Sequence, residues 1–321
     1  MMKVLIYGGG AVGLGIASCL LKSGAAVDII ARENTIKCLR EKGLRRNGIF
    51  GDYYARSTGF GSYAGLDEIQ NKKYDYVLVC TKSFDSFQAA KDLSGHTLLL
   101  NEDAKIVLFQ NGWGNAEIFS RFFRAEQIYN ARVITGFTRS SPNEVTITVH
   151  ADSVHIGSMY NKDIGSMESL CALITNGDLP CRTTKYIAKD LWAKMLYNCA
   201  LNALGAILDV PYGVLGECDS TKTIMNEVVQ EIFAVMTKAG YGTHRESAED
   251  FLKEFYGKLI PDTFEHKSST LQSILAKKKT EIDALNGAVI ALADKHNVKV
   301  PYNSLLYNII KFIEDRYCKG N

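Results

Sequence analysis

The chain has 321 residues, 46% of them hydrophobic and 22% charged, an ordinary globular composition with length enough for two cores. A net charge of +2 carries no nucleic-acid footprint, and the eight cysteines form neither a C-x-x-C pair nor a zinc spacing, so scattered reduced thiols and no metal site are expected. The first apolar stretch reads as a strand rather than a secretory leader, and no apolar run of bilayer length is legible, so a cytoplasmic location without membrane partners is expected.

In chain order, the apolar strand Lys3–Tyr7 runs into Gly8-Gly9-Gly10-Ala11-Val12-Gly13, which fits G-x-G-x-x-G, and then into a helical pattern from Leu14 to Lys22. Strand, glycine turn and helix in that order are what a bound pyrophosphate needs. The glycines let the backbone approach the anion, and the helix N-terminus offers N–H groups and positive dipole charge. The next strand reads Ala26-Val27-Asp28-Ile29-Ile30-Ala31-Arg32. A site for NAD places an acid at its end, for the ribose 2′-hydroxyl, whereas this strand ends in Arg32 and carries Asp28 too early. A guanidinium there suits a 2′-phosphate, so NADP(H) is expected; a solvated charge at a strand end is the plainer alternative.

Further strands are predicted at Tyr74–Cys80, Lys105–Phe109, Ile128–Ile134 and Glu144–Ile156, giving a doubly wound α/β sheet with antiparallel strands at its end. Two loops follow these strands, where ligands of such sheets bind: Thr81-Lys82-Ser83 and Gln110-Asn111-Gly112. Lys82 brings a positive charge, and Asn111 an amide, toward a cofactor. Asn-Gly is equally a plain turn signal. From about Lys185 the period becomes helical, over 185–208, 219–240, 245–260, 268–297 and 303–317, with prolines between elements. The division predicted is a Rossmann-type nucleotide-binding domain over 1–183 and an all-helical substrate domain over 184–321, with substrate in the cleft between them.

On the first of these helices Lys194, Asn198 and Asn202 fall at i, i+4 and i+8, on one face of an otherwise apolar segment. Buried polar groups need partners, so this row is either a satisfied seam between helices or a catalytic row. Lysine fits the second reading, because burial eases release of its proton. Farther on, Ser268-Ser269 precedes Thr280-Glu281-Ile282-Asp283, where Thr280 and Asp283 suggest a capping box and a bend. Without a bend Ser269 and Glu281 would lie about 18 Å apart on one helix and could share no small ligand. Glu281 at a helix start also suits the dipole alone.

Together these motifs resemble the ketopantoate reductase family (2-dehydropantoate 2-reductases) over essentially the whole chain. The resemblance rests on Gly8–Gly13, on Thr81-Lys82, on Gln110-Asn111-Gly112, on Trp192, Lys194, Asn198 and Asn202, and on Ser268-Ser269 with Thr280–Asp283. It implies NADPH-dependent reduction of 2-dehydropantoate to pantoate, in pantothenate and coenzyme A biosynthesis. Lys194 is then the proton donor. Gly8, Gly9, Gly10, Ala11, Val12, Gly13, Arg32, Lys82, Asn111 and Glu281 are on the cofactor, and Asn111, Asn198, Asn202 and Ser269 on the substrate. Tyr212 and His266 stand where relatives often carry asparagines, which places the identity of the 2-oxo acid in question. A reductase of another branched 2-oxo acid and a non-catalytic NADPH-binding regulator are the alternatives, and a homodimer stays open.

Overall fold

The computed structural model describes residues 1–318 and divides the chain into two compact units: Met1–Gln110 with Asn115–Ile187, and Asn111–Gly114 with Ala188 onward. This differs from a single cut at 183/184 in two respects, the first being that the boundary falls after Ile187. The segment Asn111-Gly112-Trp113-Gly114 leaves the first unit, whose strand it follows, and belongs with the helical second.

The first unit carries strands β1 (Lys3–Tyr7), β2 (Ala26–Ile30), β3 (Leu44–Gly48), β4 (Tyr53–Ala55), β5 (Gly61–Tyr63), β6 (Tyr74–Val79), β7 (Leu100–Leu108), β8 (Ile128–Ser141), β9 (Glu144–Gly157) and β10 (Cys181–Thr183). They form one sheet in the order β4-β3-β9-β8-β7-β6-β1-β2-β5, with β10 beside β9. From β5 to β8 every pairing is parallel, and β9 returns antiparallel to β8. Helices α1 (Ala11–Lys22), α2 (Glu33–Lys42), α3 (Ser86–Gly95), α4 (Asn115–Phe119) and α5 (Glu168–Asn176) lie between the strands in sequence.

The alternation along a strand explains the two covered faces. Val4 and Ile6 of β1 enter a core with Leu14, Ile16 and Leu20 of α1 and Leu170 and Ile174 of α5. Leu5 points the other way, into a core with Val77 and Val79 of β6, Leu93 of α3 and Phe119 of α4. Strands buried on both faces read as apolar runs, as residues 4–7 of β1 and 76–79 of β6 do. Each such side chain contributes about 1.5–3 kcal/mol on burial.

The second unit is helical: α6 (Ile187–Leu208, from Ala188), α7 (Tyr212–Glu217), α8 (Asp219–Lys238), α9 (Ala248–Glu254), α10 (Ile260–Asp262), α11 (Ser269–Leu275), α12 (Asn286–His296) and α13 (Pro301–Cys318). Asp209, in the left-handed region at φ 52°, ends α6, and Pro211 precedes α7. The single helix predicted over 268–297 is broken. Lys277 takes φ 50° after α11, and only a 3₁₀ turn at Ile282–Ala284 precedes α12. Among the described residues α6 is long and apolar enough to cross a bilayer, unlike the sequence expectation. Of its apolar window 67% is buried, as in a core helix.

Candidate functional site

The glycine loop of the first unit combines packing and access. Gly8 has φ 118°, which only glycine tolerates readily, and a Cβ on Gly13 would lie 1.9 Å from the Gly8 carbonyl oxygen. A Cβ on Gly9 would lie 2.5 Å from Cβ of Ala31. Gly10 is different, because a Cβ there would meet nothing within 4 Å. Gly10 is also the N-cap of α1, and no side chain caps that helix. Open space therefore faces the uncapped first N–H groups, contributed by Ala11, Val12 and Gly13, as a phosphate requires. These residues fit a dinucleotide.

Around the loop, Arg32 is exposed and holds the N-cap position of α2. Asp28 is committed elsewhere: Lys72 Nζ lies 2.8 Å and Tyr74 Oη 2.6 Å from its Oδ2. It therefore cannot replace the missing ribose acid. Lys82 is exposed, and its carbonyl oxygen accepts from Gln110 Nε2 at 3.3 Å. Gln110 also donates to Thr81 Oγ1 at 3.2 Å, tying the ends of β6 and β7 together. Arg139, near the end of β8, reaches the loop as well, donating to the Gly9 carbonyl oxygen at 3.2 Å. No motif in the sequence points to it.

In the second unit three of the predicted residues meet. Lys194 is half-buried on α6, and its Nζ donates to Asn111 Oδ1 at 2.7 Å. Asn111 in turn donates from Nδ2 to Glu281 Oε2 at 3.3 Å, and Glu281 is only 7% exposed. Ammonium, amide and carboxylate thus form a polarised chain in which the amide can point only one way. The segment carrying Asn111 is fixed by its neighbours. The Trp113 ring lies 4.7 Å from Trp192 and 4.8 Å from Tyr241, and the Trp113 backbone N–H donates to the Ala284 carbonyl oxygen at 2.9 Å. Gly112 has φ 87°, and a Cβ there would lie 2.3 Å from that same oxygen. Trp113 and Tyr241 carry this support, and neither has a local sequence pattern that shows it.

One turn beyond Lys194, Asn198 is half-buried, and its amide has no protein partner among the described residues. Asn202 is buried, and its Oδ1 accepts from Tyr212 Oη at 2.5 Å. Tyr212 lies 5.6 Å from the Tyr197 ring and 5.1 Å from the His266 ring, so the two departures from the family pattern touch each other. Burial pushes the Tyr212 phenol well up, keeping it a neutral donor, and holds the His266 imidazole below its usual value. Of the paired serines, Ser268 is buried. It donates to the Asn202 carbonyl oxygen at 3.0 Å and caps α11 through the Leu271 N–H. Ser269 is exposed on the first turn of α11. The expected capping box is a tighter Thr turn: Thr280 Oγ1 accepts from the Ile282 N–H at 3.2 Å, and Asp283 faces Tyr307.

Chemically, the second unit offers an ammonium at a fixed position, a free amide one turn away and a buried carboxylate behind them. That set suits binding an oxyacid and giving a proton to its oxygen. The first unit offers a dinucleotide cradle.

The family model "Ketopantoate reductase PanE/ApbA" matches residues 4–161, and "Ketopantoate reductase PanE/ApbA C terminal" matches residues 186–314. A 2-dehydropantoate 2-reductase of Aquifex aeolicus (strain VF5) is 34% identical over 312 residues, 97% of this chain and 96% of that protein. Among solved structures, a PanE/ApbA family ketopantoate reductase from Ralstonia eutropha JMP134 has a TM-score of 0.85 at 28% identity, covering 99% of this chain and 100% of that one. A D-mandelate dehydrogenase, solved with NADH and anilino(oxo)acetate, shares the fold at a TM-score of 0.87 and 22% identity, covering 99% and 100%.

Proposed function

Because this chain belongs to the ketopantoate reductase family, oxidoreductases with a Rossmann-type unit and a helical unit, we propose that it reduces 2-dehydropantoate to pantoate with NADPH, serving pantothenate and coenzyme A synthesis in the cytoplasm. The observation that carries the reading is the Lys194 ammonium, held 2.7 Å from Asn111 with Glu281 behind it.

Gly8–Gly13 hold the dinucleotide phosphates, with Arg32 on the 2′-phosphate and Lys82 as a further positive charge. Asn111 and Glu281 take the cofactor-side roles that the resemblance implies. NADPH, when bound, supplies the hydride for the 2-oxo carbon. Lys194 donates a proton to the developing alkoxide oxygen. Asn198, whose amide no protein group occupies, binds the 2-oxo acid, with Asn202, Asn111 and Ser269 completing its contacts. Proton donation of this kind contributes about 10²–10⁴ in rate.

The test is NADPH oxidation by the purified chain with 2-dehydropantoate and a panel of other branched 2-oxo acids. Turnover favouring 2-dehydropantoate, with NADPH preferred over NADH, is expected. A better acid in the panel would reassign the substrate, and no turnover with any 2-oxo acid would contradict the enzyme reading.

A further inference from the structure

We propose that Arg139, from the far end of β8, is a second cation of the dinucleotide site, selecting for a 2′-phosphate alongside Arg32 while holding the glycine loop in place. The proposal rests on the NADPH reading and adds to it a residue outside the loop–helix motif.

The geometry is specific. Arg139 Nη1 donates to the Gly9 carbonyl oxygen at 3.2 Å, and Nη2 donates to Thr35 Oγ1 at 2.6 Å. Its remaining contacts are to the hairpin tip: Nε to the Ser141 carbonyl oxygen at 3.2 Å and Nη2 to the Pro142 carbonyl oxygen at 3.0 Å. Thr35 lies in the first turn of α2, whose N-cap is Arg32. One guanidinium therefore bridges the glycine loop, the start of α2 and the β8–β9 turn.

Every one of those acceptors is neutral. Among the described residues no carboxylate pairs with Arg139, and none pairs with Arg32, although Glu33 opens the same helix. A structural arginine taken partly out of water is ordinarily given a counter-charge, because desolvation disfavours an unpaired cation. Burial holds the Arg139 pKa below its ordinary value, with Cys38 opposing that shift and the positive charge of Arg32 adding to it. Arginine stays charged regardless. At the start of α2 Arg32 is the N-cap, no side chain caps the helix, and Arg139 bonds Thr35 in its first turn. Two cations there favour an anion of high charge. A phosphate monoester on the 2′-oxygen has that charge; a 2′-hydroxyl does not.

Dissociation constants for NADPH and NADH on the full chain, by calorimetry, test the idea for wild type, Arg139→Gln and Arg139→Lys. Arg139→Gln is expected to weaken NADPH by about 10- to 100-fold and NADH by less than about threefold, with Arg139→Lys recovering part of the loss. Equal weakening of both nucleotides would leave Arg139 only a clasp on the loop, and no weakening of either would remove it from the site. Each result overturns the proposal. A wild type that binds NADH as tightly as NADPH would instead overturn the parent reading. Should Arg139→Gln not fold, Arg139→Lys and competition by adenosine 2′,5′-bisphosphate against 5′-AMP decide. A 2′-phosphate advantage that shrinks in the lysine variant supports the proposal, and an unchanged advantage refutes it.

Discussion

Removing the Asn111 amide is the sharpest perturbation of the second unit's polar chain. Asn111→Ala deletes two hydrogen bonds with charged partners, one from Lys194 at 2.7 Å and one to Glu281 at 3.3 Å. Hydrogen bonds to charged groups contribute about 1.5–3 kcal/mol each. The second is long and the ammonium is only half-buried, so the low end applies and the pair is worth about 3 kcal/mol. If that energy serves to hold the ammonium where the proton is needed, kcat falls about 10²-fold, at 1.36 kcal/mol per decade. Asn111→Asp is the informative companion. It keeps an acceptor for Lys194 but sets a second carboxylate against Glu281, so it should melt earlier than wild type yet retain more activity than the alanine variant. Steady-state kcat with saturating 2-oxo acid and NADPH, alongside thermal melts, reads both effects. A kcat within about threefold of wild type in Asn111→Ala would refute the idea that this amide positions the donor.

Two glycines should separate folding from binding. Gly13→Ala drives a Cβ to 1.9 Å from the Gly8 carbonyl oxygen and should cost about 1–3 kcal/mol or more in denaturant melts. Gly10→Ala meets nothing within 4 Å, so it should melt like wild type while dinucleotide affinity drops at least about tenfold. Normal affinity in Gly10→Ala would argue against the cradle. For pH, burial holds His266 below its usual value, so the unfolded chain takes up the proton first as pH falls. The stability linked to His266 is therefore complete above the unfolded value of about 6.5 and is lost as pH falls through it to the lower folded value. His266→Asn should flatten that part of the stability profile, and an unchanged profile would show that the ring does not titrate against folding.

What the sequence discloses here is what is local. The step from the β1 strand through Gly8–Gly13 into α1 is legible because Gly8, Gly9 and Gly13 each answer a constraint within a few residues or at the neighbouring strand. The row Lys194, Asn198 and Asn202 is legible because helical spacing alone puts three polar groups on one face of an apolar helix. Less legible is what long-range contact decides. Trp113 follows an Asn-Gly pair that reads as a turn, yet its ring lies against Trp192 and Tyr241 and carries Asn111 to Lys194. Asn202 reads as a ligand group, but its Oδ1 is taken by Tyr212 from the next helix. Of the two serines at 268 and 269 the pattern does not reveal which turns inward, because that depends on Ser268 meeting the Asn202 carbonyl oxygen. The break between α11 and α12 is half-legible. Thr280 suggests a restart, while the left-handed Lys277 that enforces it is of a residue type with no preference for that region.

The central claim is that Lys194 gives the proton. Its most direct measurement is kcat for Lys194→Ala at saturating substrate, paired with NADPH affinity for the same protein. A fall of about 10²–10⁴ in kcat is expected, with NADPH affinity within a few-fold of wild type. Turnover near the wild-type rate in a variant that folds and binds NADPH would contradict it.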